Sequence, residues 1–84
     1  MRIDKYLQIT RIIKRRANAK DMVVQGRVII NGKVAKPATS VKVNDEIELH
    51  FGNVLLRVKV LAIKEKIKKE EANELFEIIA KESV

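Results

Sequence analysis

Basic side chains lie close together early in the chain, at Arg11, Lys14, Arg15, Arg16 and Lys20. The guanidinium group of arginine donates hydrogen bonds in a fixed fork that matches phosphate oxygens, and lysine adds a mobile point charge. A cluster of this kind is typical of a surface that binds a polyanion. We therefore interpret the stretch from Arg11 to Gly32 first, and the remaining residues as what holds it in shape.

The charge of the whole chain supports this interpretation when it is divided by position. The chain of 84 residues has a net charge of +7, and residues 1–42 hold eleven Lys or Arg against two acids, a net +9. Residues 43–84 hold seven against nine, a net −2. A generally basic, solvated surface would mix the two signs along the chain. The observed asymmetry favours a protein that meets nucleic acid with one side.

Residues that could catalyse a reaction are sparse. His50 is the only histidine and there is no cysteine, which excludes thiolate chemistry, disulfides and zinc fingers. The neighbouring carboxylates stand beside lysines, where solvated salt pairs are the ordinary interpretation. With three aromatic residues the chain cannot build a base-stacking sheet. We expect no enzyme activity, no cofactor, no metal and no small-molecule substrate, but recognition of RNA by charge and shape.

Length and hydropathy predict one small domain. No apolar run approaches the ~18 residues of a membrane span, and no leader pattern is present. We therefore expect no membrane contact and a cytoplasmic location.

Apolar spacing predicts two helices before any strand. Residues 2–9 form a short amphipathic helix with Asp4 in its first turn, where a carboxylate suits the helix dipole. Residues 13–25 form a second helix, which Gly26 ends. Its apolar arc, which includes Ile13, Ala17, Ala19, Val23 and Val24, also contains Arg16 and Lys20, whose stems can cover the core while their charges reach the rim.

Alternating apolar residues predict strands after Gly26. Val28–Ile30 is followed by Asn31-Gly32, a strong signal for a type I′ hairpin, and by a short return strand. Residues 46–51 and 54–62 alternate apolar and polar residues. The residues predicted to face inward are Ile47, Leu49, Phe51, Val54, Leu56, Val58, Val60 and Ala62. Residues 64–69 then form a charged connection. Residues 70–81 are predicted to be a C-terminal amphipathic helix, which packs on its own sheet or on a partner.

The motifs M-R-I-D-K-Y-L, T-R-I-I-K-R-R-A-N-A-K, Q-G-R-V-I-I-N-G and V-N-D-E-I follow one another in this order. Together they resemble the S4-type RNA-binding domain over residues 1–63, with residues 64–84 as the connection and final helix. The resemblance implies an α+β fold in which two N-terminal helices pack on a small twisted antiparallel sheet, the alpha-L motif. It also implies binding of structured RNA through the helix surface.

Within that family the chain is most similar to small stand-alone members that act in ribosome-associated quality control. This implies binding to the stalled large ribosomal subunit, with large-subunit rRNA and peptidyl-tRNA as partners and a quality-control elongation factor on the same subunit. Many members have Ser where Thr10 stands and Gly where Asn44 stands, and both changes are mild. Carried over by position, the RNA surface comprises Arg2, Asp4, Lys5, Thr10, Arg11, Lys14, Arg15, Arg16 and Lys20.

Two other functions fit the same surface. One is a role in ribosome assembly or as a ribosomal protein. The other is that of an RNA-targeting module for a separate RNA-modifying enzyme, against which the lack of a catalytic domain speaks.

Overall fold

The computed structural model describes residues 1–83 as an α+β fold with a five-stranded antiparallel sheet. Two helices come first, α1 (Ile3–Ile9) and α2 (Arg16–Val24), followed by β1 (Val28–Ile30) and β2 (Lys33–Val34). Next come β3 (Glu46–Phe51), β4 (Val54–Val60), a 3-10 helix (Lys69–Glu74) and β5 (Phe76–Ser83). The strands lie in the order β2-β1-β3-β4-β5, so β2 and β5 form the edges.

The first helix is fixed by three buried residues and by an unusual end. Ile3, Tyr6 and Leu7 are at most 1% exposed, as their helical spacing predicts. At the C-terminal end, Thr10 donates its hydroxyl to the carbonyl oxygen of Tyr6 at 2.8 Å. Arg11 follows with φ of 59°, in the left-handed region that glycine ordinarily occupies after a helix. This residue turns the chain away from α1.

The second helix begins three residues later than its predicted start at residue 13. Ile13 is buried, but its amide donates to the Leu7 carbonyl at 3.1 Å, so it anchors the connection between the helices. The buried face of α2 consists of Ala19 and Val23. Val24, predicted to be in the apolar arc, is 67% exposed. The predicted end is confirmed, because Gly26 has φ of 75° and closes the helix.

One core joins the helices to a single face of the sheet. Of the predicted inward residues of β3 and β4, Ile47, Leu49, Val58 and Val60 are fully buried in one cluster with residues of α1 and α2. Phe51, Val54 and Leu56 are only partly buried. Asn31 and Gly32 have φ of 50° and 82°, which confirms the hairpin between β1 and β2. Because side chains alternate along a strand, the other face of the sheet carries the polar residues.

The prediction of a C-terminal helix over residues 70–81 is wrong. Residues 69–74 form a 3-10 helix, and residues 76–83 pair antiparallel with β4 as an edge strand. The misleading signal has a physical source. Val58 pairs with Ile78 and Arg57 with Ala80, so Ile79 is an extra residue that forms a β-bulge. A bulge breaks the alternation of apolar and polar residues within a strand. Ala72 and Leu75, in and directly after the 3-10 helix, supply the rest of the helix-like spacing.

The C-terminal segment packs on its own sheet. Leu75 is 1% exposed, and its carbonyl oxygen accepts hydrogen bonds from the Tyr6 hydroxyl at 2.7 Å and the Leu61 amide at 2.8 Å. Burial raises the pKa of the Tyr6 phenol, which therefore remains a donor.

The domain boundary at residue 63 stays a prediction. No helix within residues 1–83 is long and apolar enough to cross a membrane.

Candidate nucleic-acid interface

The carboxylate of Asp4 is buried, and specific hydrogen bonds and ion pairs hold it in place. It lies in the first turn of α1, is 1% exposed, and its Oδ1 accepts the Lys5 backbone amide at 2.8 Å. A buried carboxylate is costly unless hydrogen bonds and opposite charges compensate it. Those compensating groups are arginines, so the position does more than complement the helix dipole.

Arg2 and Arg16 meet at this carboxylate. Arg2 donates Nε to Oδ1 at 3.2 Å and Nη2 to Oδ2 at 3.1 Å, in the two-bond geometry that suits a guanidinium group. Nη2 of Arg16 lies 3.6 Å from Oδ1. The Arg2 and Arg16 side chains are 46% and 49% exposed, whereas that of Asp4 is 2% exposed. Asp4 thus holds two guanidinium groups side by side with much of their surface in solvent.

The backbone fixes where these groups stand. Residue 2 bridges Ser40, with the Ile3 amide donating to the Thr39 carbonyl and the Val41 amide to that of Met1, each at 2.8 Å. Arg16 is the first residue of α2, and Lys20 follows one turn later on the same shallow depression. We call Arg2, Asp4, Arg16 and Lys20 the Asp4 cluster.

The other predicted site residues are placed differently. Thr10 is 2% exposed and its hydroxyl is committed to helix carbonyls, so it shapes the end of α1. Lys5 is half-buried, and Arg15 is exposed at the N-cap of α2. Lys14 and Arg15 precede α2 rather than lying on its first turn, which corrects the predicted helical placement.

Arg11 and Lys14 belong to a second group of cations. Together with Lys68 and Lys69 they line a hollow beside the end of α1, whose other lining residues are Gln8, Ile9 and Ile67. We call Arg11, Lys14, Lys68 and Lys69 the four-cation hollow. The sequence pattern predicts only a connection over residues 64–69 and does not single out Lys68 and Lys69 as site residues. The available signal was the K-E-K-I-K-K run itself.

Within residues 1–83, no acid of the C-terminal half forms an ion pair with either group. The ion pairs in this part of the chain join Asp4 to Arg2 and Arg16, and Glu48 to Arg57. Glu48 also contacts the His50 ring. Glu48 and Arg57 project from the outer face of the sheet, where the hydrogen bond from Arg57 lowers the pKa of Glu48. The cations of the N-terminal half therefore remain available to an external anion.

Groups that would hold a metal do not converge in the described chain. Among residues 1–83 no three His, Cys, Asp or Glu side chains come together. His50 lies in β3 with its side chain 45% exposed and contacts Glu48 at 3.3 Å, as expected of a strand residue that faces solvent. What the described surface offers is fixed positive charge.

Comparison with known proteins decides the family. The model of the S4 domain matches residues 1–47. The chain belongs to the S4 domain family. A curated relative from Streptococcus pneumoniae is 52% identical over 84 residues, which is 100% of this chain and 96% of that protein. Another, from Bacillus subtilis, is 44% identical over 100% of this chain and 98% of its own length. Both bear the name RQC P-site tRNA stabilizing factor.

Solved structures agree with the S4 assignment. Heat shock protein 15 of Vibrio cholerae is 33% identical and superposes with a TM-score of 0.87 over 95% of this chain and 82% of its own. The S4 match covers α1, α2 and the first hairpin, and all nine predicted site residues lie within the matched residues 1–47.

Proposed function

We propose that this S4 domain protein is a non-enzymatic factor of ribosome-associated quality control. It binds structured RNA, namely large-subunit rRNA and peptidyl-tRNA, on the stalled large subunit in the cytoplasm. A quality-control elongation factor on the same subunit is the protein partner we propose. The full-length relatives named as tRNA stabilizing factors support this function.

The Asp4 cluster is the observation that carries the proposal. A buried carboxylate fixes the guanidinium groups of Arg2 and Arg16 while half of each side chain stays exposed. Fixed guanidinium groups lose little conformational entropy on binding, and their free N–H groups match phosphate oxygens. A flexible charged surface would instead lose that entropy at each contact.

The start of α2 adds to the same surface. Arg16 is its first residue, and no side chain caps its amides. Uncapped amides and the helix dipole favour an anion at this end, next to the two arginines. Contacts of this kind position a protein on folded RNA without reading base sequence.

Replacement of Arg16 tests the proposal directly. Arg16→Ala removes one fixed guanidinium but leaves Asp4 bonded to Arg2 and to the Lys5 amide. We expect binding to large subunits carrying P-site tRNA to weaken by roughly ten- to a hundredfold, which corresponds to one charged hydrogen-bond contact. The midpoint of thermal unfolding should change little. Arg2→Ala should also weaken binding to these subunits.

The matched control is Arg57→Ala, which removes an exposed arginine from the outer face of the sheet. Its binding should equal that of the unmodified protein. Equal loss of binding in Arg57→Ala and Arg16→Ala would mean that the Asp4 cluster contributes no more to binding than any other exposed positive charge. Sedimentation of cell extract provides a second check, since association with small subunits alone contradicts the proposal.

A further inference from the structure

The four-cation hollow brings together residues that are far apart in sequence. Arg11 and Lys14 come from the connection between α1 and α2, whereas Lys68 and Lys69 come from the start of the 3-10 helix. Nearby, the Tyr6 hydroxyl of α1 donates to the carbonyl of Leu75, directly after the 3-10 helix, at 2.7 Å and ties the two elements together. The hollow is therefore a product of the fold.

Its charge is uncompensated within the described residues. All four side chains belong to exposed residues, no acid lines the hollow, and none of the four forms an ion pair within residues 1–83. Glu70 and Glu71 follow Lys69 in the chain but do not line it. Like charges held together repel one another and lower stability, and a bound anion removes that repulsion.

The backbone at this place is also constrained. Arg11 adopts φ of 59°, a conformation that costs free energy for a residue with a side chain. Its amide donates to the Gln8 carbonyl at 3.1 Å, and the buried Ile13 anchors the chain just beyond it. These contacts hold the backbone of Arg11 and Lys14 at the rim of the hollow.

We propose that the four-cation hollow is a second binding site for RNA phosphates, separate from the Asp4 cluster. The two sites lie at opposite ends of α1, a seven-residue helix roughly 10 Å long. They can therefore contact different phosphates of one folded RNA at the same time. The ligand is the phosphodiester backbone, because exposed lysine and arginine with few aromatic neighbours recognise charge rather than bases. This inference rests on the proposed function and extends its interface to the C-terminal segment.

Paired double variants test the second site. Lys68→Ala with Lys69→Ala removes two charges from the hollow, and Lys64→Ala with Lys66→Ala removes two exposed charges from the same run outside it. Binding to purified large subunits carrying P-site tRNA is measured over a range of salt concentrations. We expect the first double variant to bind roughly three- to thirtyfold more weakly. The slope of log K against log salt should become shallower by about 1 to 2.

The control pair should retain the slope of the unmodified protein. Lys68→Arg with Lys69→Arg keeps the charge and should restore most of the binding. Identical behaviour of the two alanine pairs would overturn the second site and leave the Asp4 cluster, which Arg16→Ala probes, unaffected. Failure of the unmodified protein to bind these subunits at all would instead contradict the proposed function.

A photo-crosslinking side chain in place of Lys68 identifies the class of partner. We expect it to crosslink to RNA in the same complex, and the same group in place of Lys64 to give much less. Crosslinks from position 68 to protein alone would overturn the assignment of phosphate as the ligand.

Discussion

Single residues decide the geometry of the Asp4 cluster, because one buried carboxylate sets the spacing of two guanidinium groups. Asp4 contacts Arg2 in two hydrogen bonds and Arg16 at 3.6 Å. All three residues are predicted site residues, but the sequence does not predict that they contact one another. Arg2 and Arg16 are fourteen positions apart in sequence, and only the packing of α1 against α2 brings them to the same carboxylate.

Asp4→Asn separates fixed geometry from simple charge. The substitution raises the net charge from +7 to +8, so attraction to RNA by charge alone predicts tighter binding. If Asp4 positions the arginines, their loss of a common anionic partner should weaken binding by roughly tenfold. We expect a loss of about 1–2 kcal/mol in the free energy of unfolding, modest because both guanidinium groups are half exposed.

The control is Asp21→Asn, which makes the same change in charge at an exposed position of α2. Binding of both variants to large subunits with P-site tRNA and their thermal unfolding are measured side by side. Binding that tightens equally in Asp4→Asn and Asp21→Asn would mean that Asp4 has no positioning role.

At the scale of elements, the edge strand β5 replaces the helix that the sequence predicted. In an antiparallel pair, alternate amides of an edge strand face the neighbouring strand and the others face solvent. Because β5 has only β4 beside it, its amides should exchange with deuterium in an alternating pattern, interrupted at the bulge around Ile79.

Amide-resolved hydrogen exchange by NMR checks this arrangement, with β4 as the internal control. Since β4 lies between β3 and β5, successive amides along it should be protected. A continuous run of protected amides over residues 76–82 would indicate a helix instead and contradict the strand.

The elements that could be predicted are those with strong local signals. Asn31-Gly32 predicted the first hairpin, and Gly26 predicted the end of α2. Strict alternation predicted which faces of β3 and β4 point into the core. The errors fall where tertiary contacts override the local pattern. Ile13 has the spacing of a helical residue, but its hydrogen bond to the Leu7 carbonyl holds it outside α2. Ile79 occupies a β-bulge, so the alternation that would have predicted β5 is interrupted there. The same holds for the candidate site. The sequence shows which basic residues are present, but only the tertiary structure divides them into the Asp4 cluster and the four-cation hollow.

At the scale of the whole molecule, the C-terminal segment is tied to both layers of the fold. Leu75 and Ala72 are buried, Tyr6 of α1 bonds to the Leu75 carbonyl, and β5 covers the edge of β4. The family resemblance ends near residue 63, and the matched part ends at residue 47. Where a sequence family ends need not be where a folding unit ends.

We therefore expect the chain truncated after residue 63 to lose cooperative folding. Truncation removes Leu75, which is 1% exposed, and burial of one such leucine contributes about 2–5 kcal/mol. It also unpairs β4 and removes the partner of the Tyr6 hydroxyl. These losses approach the ~5–15 kcal/mol that stabilises an ordinary small domain. A chain lacking only residues 82–84 is the control, because it keeps Leu75 and most of β5. Thermal unfolding followed by circular dichroism should show a cooperative transition for the control and none for the truncated chain. A truncated chain that unfolds cooperatively within a few degrees of the full protein would establish residues 1–63 as an independent domain.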